Sequence, residues 1–315
     1  MFSFLLPHLR CPAGGTLTLQ PSKTAFHAVR REDEVIEGTL TSDKTGRKYP
    51  IRNGIPRLLP DELDLDTRER FELEWKHWAR GNKIYGMDKA TYRNDLFTRR
   101  SGTALEDGHF AGKIVLEGGC GHGMAGEIVA PLAREYIGID LGEGIEAARE
   151  RTAALGNAHL IQGSLLSLPL ASGVVDFAYS IGVIHHTPDP HKAFCELSRS
   201  LRPGGSLLIW VYPREGMIRE TLSGAARLVT TRLPARAVYG LSYLLVPLIY
   251  VVKPYADSSA GRNTWHENMQ SIYDWLSPRY QFHYTPQELS AWFAEQGFAD
   301  MQSAPVRTGI IGRKM

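Results

Sequence analysis

The chain has 315 residues, enough for one core of about 200 to 250 residues with an accessory unit. Its composition is that of a folded globular protein, 43% hydrophobic and 22% charged, and a formal net charge of +2 shows no excess of basic groups that would demand nucleic acid. Three cysteines, Cys11, Cys120 and Cys195, are odd in number and widely separated, which argues against a disulfide framework and for a reducing, cytoplasmic setting.

The first segment, MFSFLLPHLR, lacks a basic start and its apolar run is cut by Pro7, so it does not read as a secretion signal. Residues 1–60 form a turn-rich unit with short strands expected at 16–19, 35–40 and 48–51, closing at Pro56 and Pro60. Residues 61–110 form a helical entry segment, in which Phe71, Trp75 and Trp78 recur at three- to four-residue spacing.

From residue 113 the rhythm changes. The apolar run 113–116 leads into GGCGHG and a helix to about residue 133. A second run, 136–139, stops at Asp140, and residues 144–155 are helical again. Further strands are expected at 159–162, 174–180 and 206–212, with a helix at 190–201 before the last. This alternation predicts an α/β fold built on a Rossmann-like, doubly wound, mostly parallel sheet. Residues 215–283 interrupt it as a helical insertion. Their most apolar stretch, 241–252, is about half a membrane span and carries Pro247. The rhythm resumes with a helix at 286–295 and strands at 298–303 and 306–311, so 111–315 reads as one domain with an insertion.

The motif with chemical content is VLEGGCGHG, Val115 to Gly123. Its glycines let backbone approach a ligand where no side chain intervenes. The spacing, Gly119-x-Gly121-x-Gly123, differs from the GxGxxG of dinucleotide enzymes. A pyrophosphate wants a helix N-terminus aimed at it. The acid Glu117 would repel phosphate and suits an ammonium or sulfonium cation. Asp140 ends the following strand, where a carboxylate can accept the hydroxyls of a ribose.

The blocks VLEGGCGHG, GIDLG, QGSLLSLPL, VVDFAYSIGVIHHTPDP and LRPGGSLLIWVY, in this order, resemble the core of class I S-adenosylmethionine-dependent methyltransferases. YTPQELSAWFAEQGF extends the resemblance towards the C-terminus. It implies S-adenosylmethionine as cofactor, with Glu117, Gly119 and Gly121 around the methionine part, Gly123 as a further cofactor-binding residue, Asp140 and Leu141 at the ribose, and Ser164 and Leu165 beside the adenine. Many relatives have an acid where Ser164 stands. The Ile181 carbonyl falls where such enzymes meet the cofactor's ammonium.

Methyl transfer needs mainly alignment, worth roughly 7–11 kcal/mol, and an oxygen acceptor can also need a base. His185 and His186 are the candidate catalytic residues, with His122 and His283 behind them. Trp75, Tyr85, Trp275 and Tyr280 are candidates to roof the cofactor and touch the acceptor. LRCPAGGTL followed by YPIRNGIPRLLPDE resembles the zinc-ribbon unit of tRNA-methyltransferase activator proteins. Gly14 replaces a second cysteine and the later pair is absent, so no metal site is expected.

The expected activity is methylation of a small molecule or biosynthetic intermediate, with oxygen slightly ahead of nitrogen or carbon. RNA methylation is the alternative, suggested by the N-terminal resemblance and opposed by the near-neutral charge. A silent S-adenosylmethionine-binding partner subunit is the non-enzymatic alternative. No membrane is required, although a lipid-linked acceptor is compatible with the 241–252 stretch. The sequence leaves oligomeric state open.

Overall fold

The computed structural model describes residues 1–61, 68–73, 88–100, 107–214, 216–252, 264–303 and 308–315. The described strands form one eleven-stranded sheet in the order β1-β2-β3-β4-β7-β6-β5-β8-β9-β11-β10. Its centre is parallel: β5 (Ile114–Gly118), β6 (Glu135–Asp140), β7 (Ala158–Gly163), β8 (Val175–Ile181) and β9 (Leu201–Trp210). All five residues of β5 and all six of β7 are buried. Strands covered on both faces read as continuous apolar runs rather than alternating ones, which is how the sequence displayed them. The C-terminal strands β10 (Phe298–Ser303) and β11 (Gly309–Lys314) close one edge, with β11 antiparallel to β9.

Short helices connect the strands. α1 (Lys89–Asn94) lies in the entry segment, and α2 (Met124–Val129) and α3 (Gly144–Thr152) follow β5 and β6. α4 (Pro190–Ser200) precedes β9, starting from Asp189, whose carboxylate accepts the Lys192 N–H, with Pro190 at the first turn. The insertion is helical as expected: α5 (Met217–Thr230), α6 (Ala235–Val252) and α7 (Trp265–Leu276). α7 and α8 (Pro286–Glu295) both begin with a capping box, Thr264 with Glu267 and Thr285 with Glu288.

The N-terminal unit contains one strand more than the sequence suggested. β1 (Leu17–His27), β2 (Glu32–Ser42) and β3 (Lys48–Arg52) form an antiparallel ribbon, and β4 (Ile55–Leu58) then pairs in parallel with β7 through Arg57 opposite Gln162. Pro56, second in β4, hid this strand, because proline inside a short run argues against a ladder position. The ribbon is thereby joined edge-on to the central sheet. Leu5, Leu9, Leu40, Ile51 and Leu58 share one apolar cluster with Ile161 and Leu170. Around it, Glu34 pairs with Arg149 (2.5 Å), Arg30 with Glu135 (2.9 Å), and Arg57 with Glu146.

Candidate active site

Strand order sets the location. The chain steps from β5 to β6 and β7 in one direction, then returns to β8 and β9 on the other side of β5. In open α/β sheets the crevice beyond the carboxyl ends at such a reversal is where ligands bind. Gly119 leaves β5 and Gly182 leaves β8 on its two sides. Gly119 has φ +82°, and a Cβ there would stand 2.4 Å from Cγ1 of Val183, so only glycine lets the two loops meet.

Two cavities of about 260 and 200 Å³ lie in the crevice and share Phe71, Gly119, Gly182 and Val183 in their walls. They are lobes of one cleft. Glu117, Gly119 and Ile181 border the first lobe. Asp140, Leu141, Ser164 and Leu165 border the second. The cleft thus gathers seven of the nine sequence-predicted binding residues. The other two stand behind it. The Gly121 N–H donates to Asp140 Oδ2 at 2.8 Å, and Gly123 admits α3, since a Cβ there would lie 2.5 Å from the Ala148 Cα.

Asp140 is held from both sides, its Oδ1 accepting from the Gly142 N–H at 2.8 Å. The carboxylate keeps acceptor capacity for a further donor. Burial pushes its pKa up, opposed by the backbone donors of Gly142, Gly121 and Leu141. Ser164 spends its hydroxyl oxygen on the Leu166 N–H at 3.1 Å and can still donate. The loop carrying Asp140 and Leu141 is tied to the N-terminal ribbon. Arg57 donates to the Gln162 Oε1 at 3.1 Å, and the Gln162 Nε2 donates to the Leu141 carbonyl at 3.2 Å.

Glu117 is 7% exposed and accepts a hydrogen bond from the Tyr136 hydroxyl. Burial raises its pKa to about 7, against the stabilising contacts of Tyr136 and Tyr179. A buried carboxyl with no cationic partner among the described residues, facing a cavity, fits a ligand that brings its own positive charge.

The structure separates the two candidate bases. His185 is fully buried, packs against Tyr212 with ring centroids 4.1 Å apart and the rings tilted by 39°, and borders neither lobe. Burial drives its pKa well below the usual value, so it stays neutral behind the wall. His186 borders the second lobe beside Phe71. Its Nδ1–H donates to the Tyr280 carbonyl at 2.9 Å, which leaves Nε2 as the acceptor of a neutral ring. His122 borders the first lobe, its pKa lowered by burial to about 4. His283 stacks between Tyr212 and Trp275.

Of the four aromatic residues expected as a roof, Trp75 and Tyr85 lie outside the described residues, and Trp275 and Tyr280 border neither lobe. The aromatic walls are instead Phe71, Tyr92, Tyr179, Trp210 and Tyr212. Sequence reasoning also missed a polar pair: the Tyr212 hydroxyl, at the end of β9, donates to Asp274 Oδ2 on α7 at 2.8 Å, and both residues border the first lobe. They are 62 residues apart and share no local motif. In the N-terminal unit, the Cys11 sulfur lies 3.2 Å from the Tyr49 hydroxyl, both buried.

Two segments of the chain match known protein families. Residues 116–209 match the methyltransferase domain family and residues 3–54 match the Trm112p-like protein family. A Mycolicibacterium smegmatis protein described as "Probable S-adenosylmethionine-dependent methyltransferase" is 39% identical over 100 residues, covering 31% of this chain and 38% of that protein. An uncharacterized methyltransferase of Mycobacterium ulcerans is 30% identical over 156 residues, covering 48% and 59%. The chain thus spans 26% to 38% of the length of the first three curated relatives it matches. Among solved structures, a methyltransferase from Thermotoga maritima covers 79% of this chain and 100% of its own, at a TM-score of 0.47 and 17% identity. Two segments of this chain are thus similar to known families, residues 116–209 to S-adenosylmethionine-dependent methyltransferase domains and residues 3–54 to Trm112p-like proteins.

Proposed function

We propose that the protein transfers the methyl group of S-adenosylmethionine to an oxygen of a small molecule held in the first lobe. The observation that carries this reading is the Tyr212–Asp274 pair on the lobe's wall, in the same cleft as Glu117 and Gly119. When bound, S-adenosylmethionine supplies an electrophilic methyl group on a sulfonium. The chain's own groups do the rest. Glu117 offers negative charge to the ammonium, and Asp140 offers its free lone pairs to the ribose hydroxyls. Phe71, Trp210 and Tyr212 give apolar walls that exclude water and hold an acceptor in line. Asp274 takes the proton of an acceptor hydroxyl, while its other contact, the Tyr212 hydroxyl, fixes the carboxylate.

The match of residues 3–54 to Trm112p-like proteins favours a second reading, an RNA acceptor. Isotopically labelled S-adenosylmethionine, incubated with metabolite extract and separately with total RNA, distinguishes the two. Label in a small molecule, reduced a hundredfold or more in Asp274→Asn with cofactor affinity unchanged, is the expected result. Label in RNA alone would replace the reading, and cofactor binding with no adenosylhomocysteine from any fraction would make the chain a silent binding module.

A further inference from the structure

The insertion shows water a surface that folding leaves uncovered. α6 is apolar on two opposite sides. Ala235, Val238, Ser242 and Val246 form a buried stripe, with Val238 packed on Tyr273 and Leu276 of α7. The opposite stripe, Ala237, Gly240, Leu244 and Leu248, is exposed, with Leu244 at 76% and Leu248 at 57%. No charged residue occurs from residue 237 to 248. α5 repeats the arrangement. Thr230 turns inward, its hydroxyl donating to the Leu276 carbonyl at 2.8 Å, while Ala225, Leu228 and Val229 face outward. Bare leucines on two successive helices that both pack against α7 mark an interaction surface.

Charge and aromatic content identify the partner. Residues 216–252 contain four arginines and one acid, Glu220. Arg232 and Arg279 stand with Leu228 around a surface depression, and Arg236 opens the exposed stripe of α6. Beside that stripe, Tyr243 and Trp265 touch with ring centroids 5.9 Å apart and are 51% and 40% exposed, the amphipathic pairing suited to the headgroup level of a bilayer. A second copy of the same face would set arginine against arginine. No helix among the described residues is long and apolar enough to cross a membrane, so the contact is one of lying on it.

We infer that the outer faces of α5 and α6 seat the protein on an anionic lipid surface, with leucines in the acyl boundary and arginines among the headgroups. α7 joins this surface to the cleft, since Ser271 and Asp274 border the first lobe while Tyr273 and Leu276 pack against α6. A docked bilayer would therefore lie about one helix diameter, roughly 10 Å, from the acceptor lobe. The inference rests on the surface alone and stands whether or not the cleft methylates oxygen.

The test is flotation of the full chain with vesicles of phosphatidylcholine alone and of phosphatidylcholine with phosphatidylglycerol. Binding to the anionic vesicles only is expected, weakening as salt rises. Arg232→Gln with Arg236→Gln should lower the partition roughly twenty-five-fold, at about fivefold for each basic group. Leu244→Asp with Leu248→Asp should abolish it, with melting temperature and S-adenosylmethionine affinity unchanged in both variants. Absence of binding to anionic vesicles, or undiminished binding by the leucine variant, would overturn the inference. So would a concentration-dependent dimer that the leucine substitutions dissociate, which would assign the face to a second copy.

Discussion

Replacing Glu117 by glutamine should make the empty protein more stable and a worse binder, and the size of both effects follows from its burial. In the fold this carboxyl ionises near pH 7, against 4.5 in its ordinary state. Between those values the folded protein keeps a proton that the unfolded chain releases, so the Glu117 contribution to stability falls as pH rises. At 1.36 kcal/mol per unit, the penalty reaches on the order of 3 kcal/mol above pH 8, and most of it accrues between pH 5 and pH 8. The uncharged amide can still accept from the Tyr136 hydroxyl but carries no such penalty. Thermal melts of the two proteins across this range should therefore diverge by roughly 5 °C, the variant being the more stable at pH 8. Calorimetry with S-adenosylmethionine should show the reverse order, with affinity falling by about ten- to a hundredfold for loss of a charged partner. Wild-type affinity should also rise with pH until Glu117 is ionised and level off above pH 7. Parallel melting curves for the two proteins, or equal cofactor affinity, would show that no buried carboxyl waits there for a cation.

Three further outcomes are expected. Asp140→Ala should weaken S-adenosylmethionine binding by roughly tenfold or more, since it removes two charged acceptors and releases the Gly121 and Gly142 N–H groups; unchanged calorimetric affinity would take Asp140 out of the site. Gly119→Ala must place a methyl against Val183 at a positive φ, so a loss of about 1–3 kcal/mol in a denaturant titration is expected, and wild-type stability would refute the close approach. Arg57→Met removes the donor to Gln162 that steadies the Leu141 loop, and should lower cofactor affinity several-fold while the far-ultraviolet spectrum is kept; an unchanged affinity would show that the ribbon does not support the site.

The parts of the fold that were legible in the sequence are those whose physics is local. Buried parallel strands are continuous apolar runs, so β5 to β9 stood out, as did the turn at Gly119 and the acids at the ends of β5 and β6. What escaped depends on contacts between distant segments. β4 is four residues with a proline and exists because β7 offers an open edge. The pairing of Tyr212 with Asp274 has no sequence period to betray it. The two adjacent histidines could not be told apart by sequence, since burial alone puts His185 behind the wall and His186 on it. Helical spacing of aromatic residues showed that they share a face, not what that face meets, and Trp275 meets His283 rather than the cleft.

The parallel pairing of Arg57 and Leu58 with β7 has an effect on how the two halves of this chain can change over time. A Trm112p-like unit supplied as a separate polypeptide could be exchanged or shed. Here it shares an apolar interior with its neighbour, and Arg57 acts through Gln162 on the Leu141 carbonyl, next to Asp140. Mutations in either half are therefore felt by the other, and the pair must drift together, unfold together and be inherited as one object.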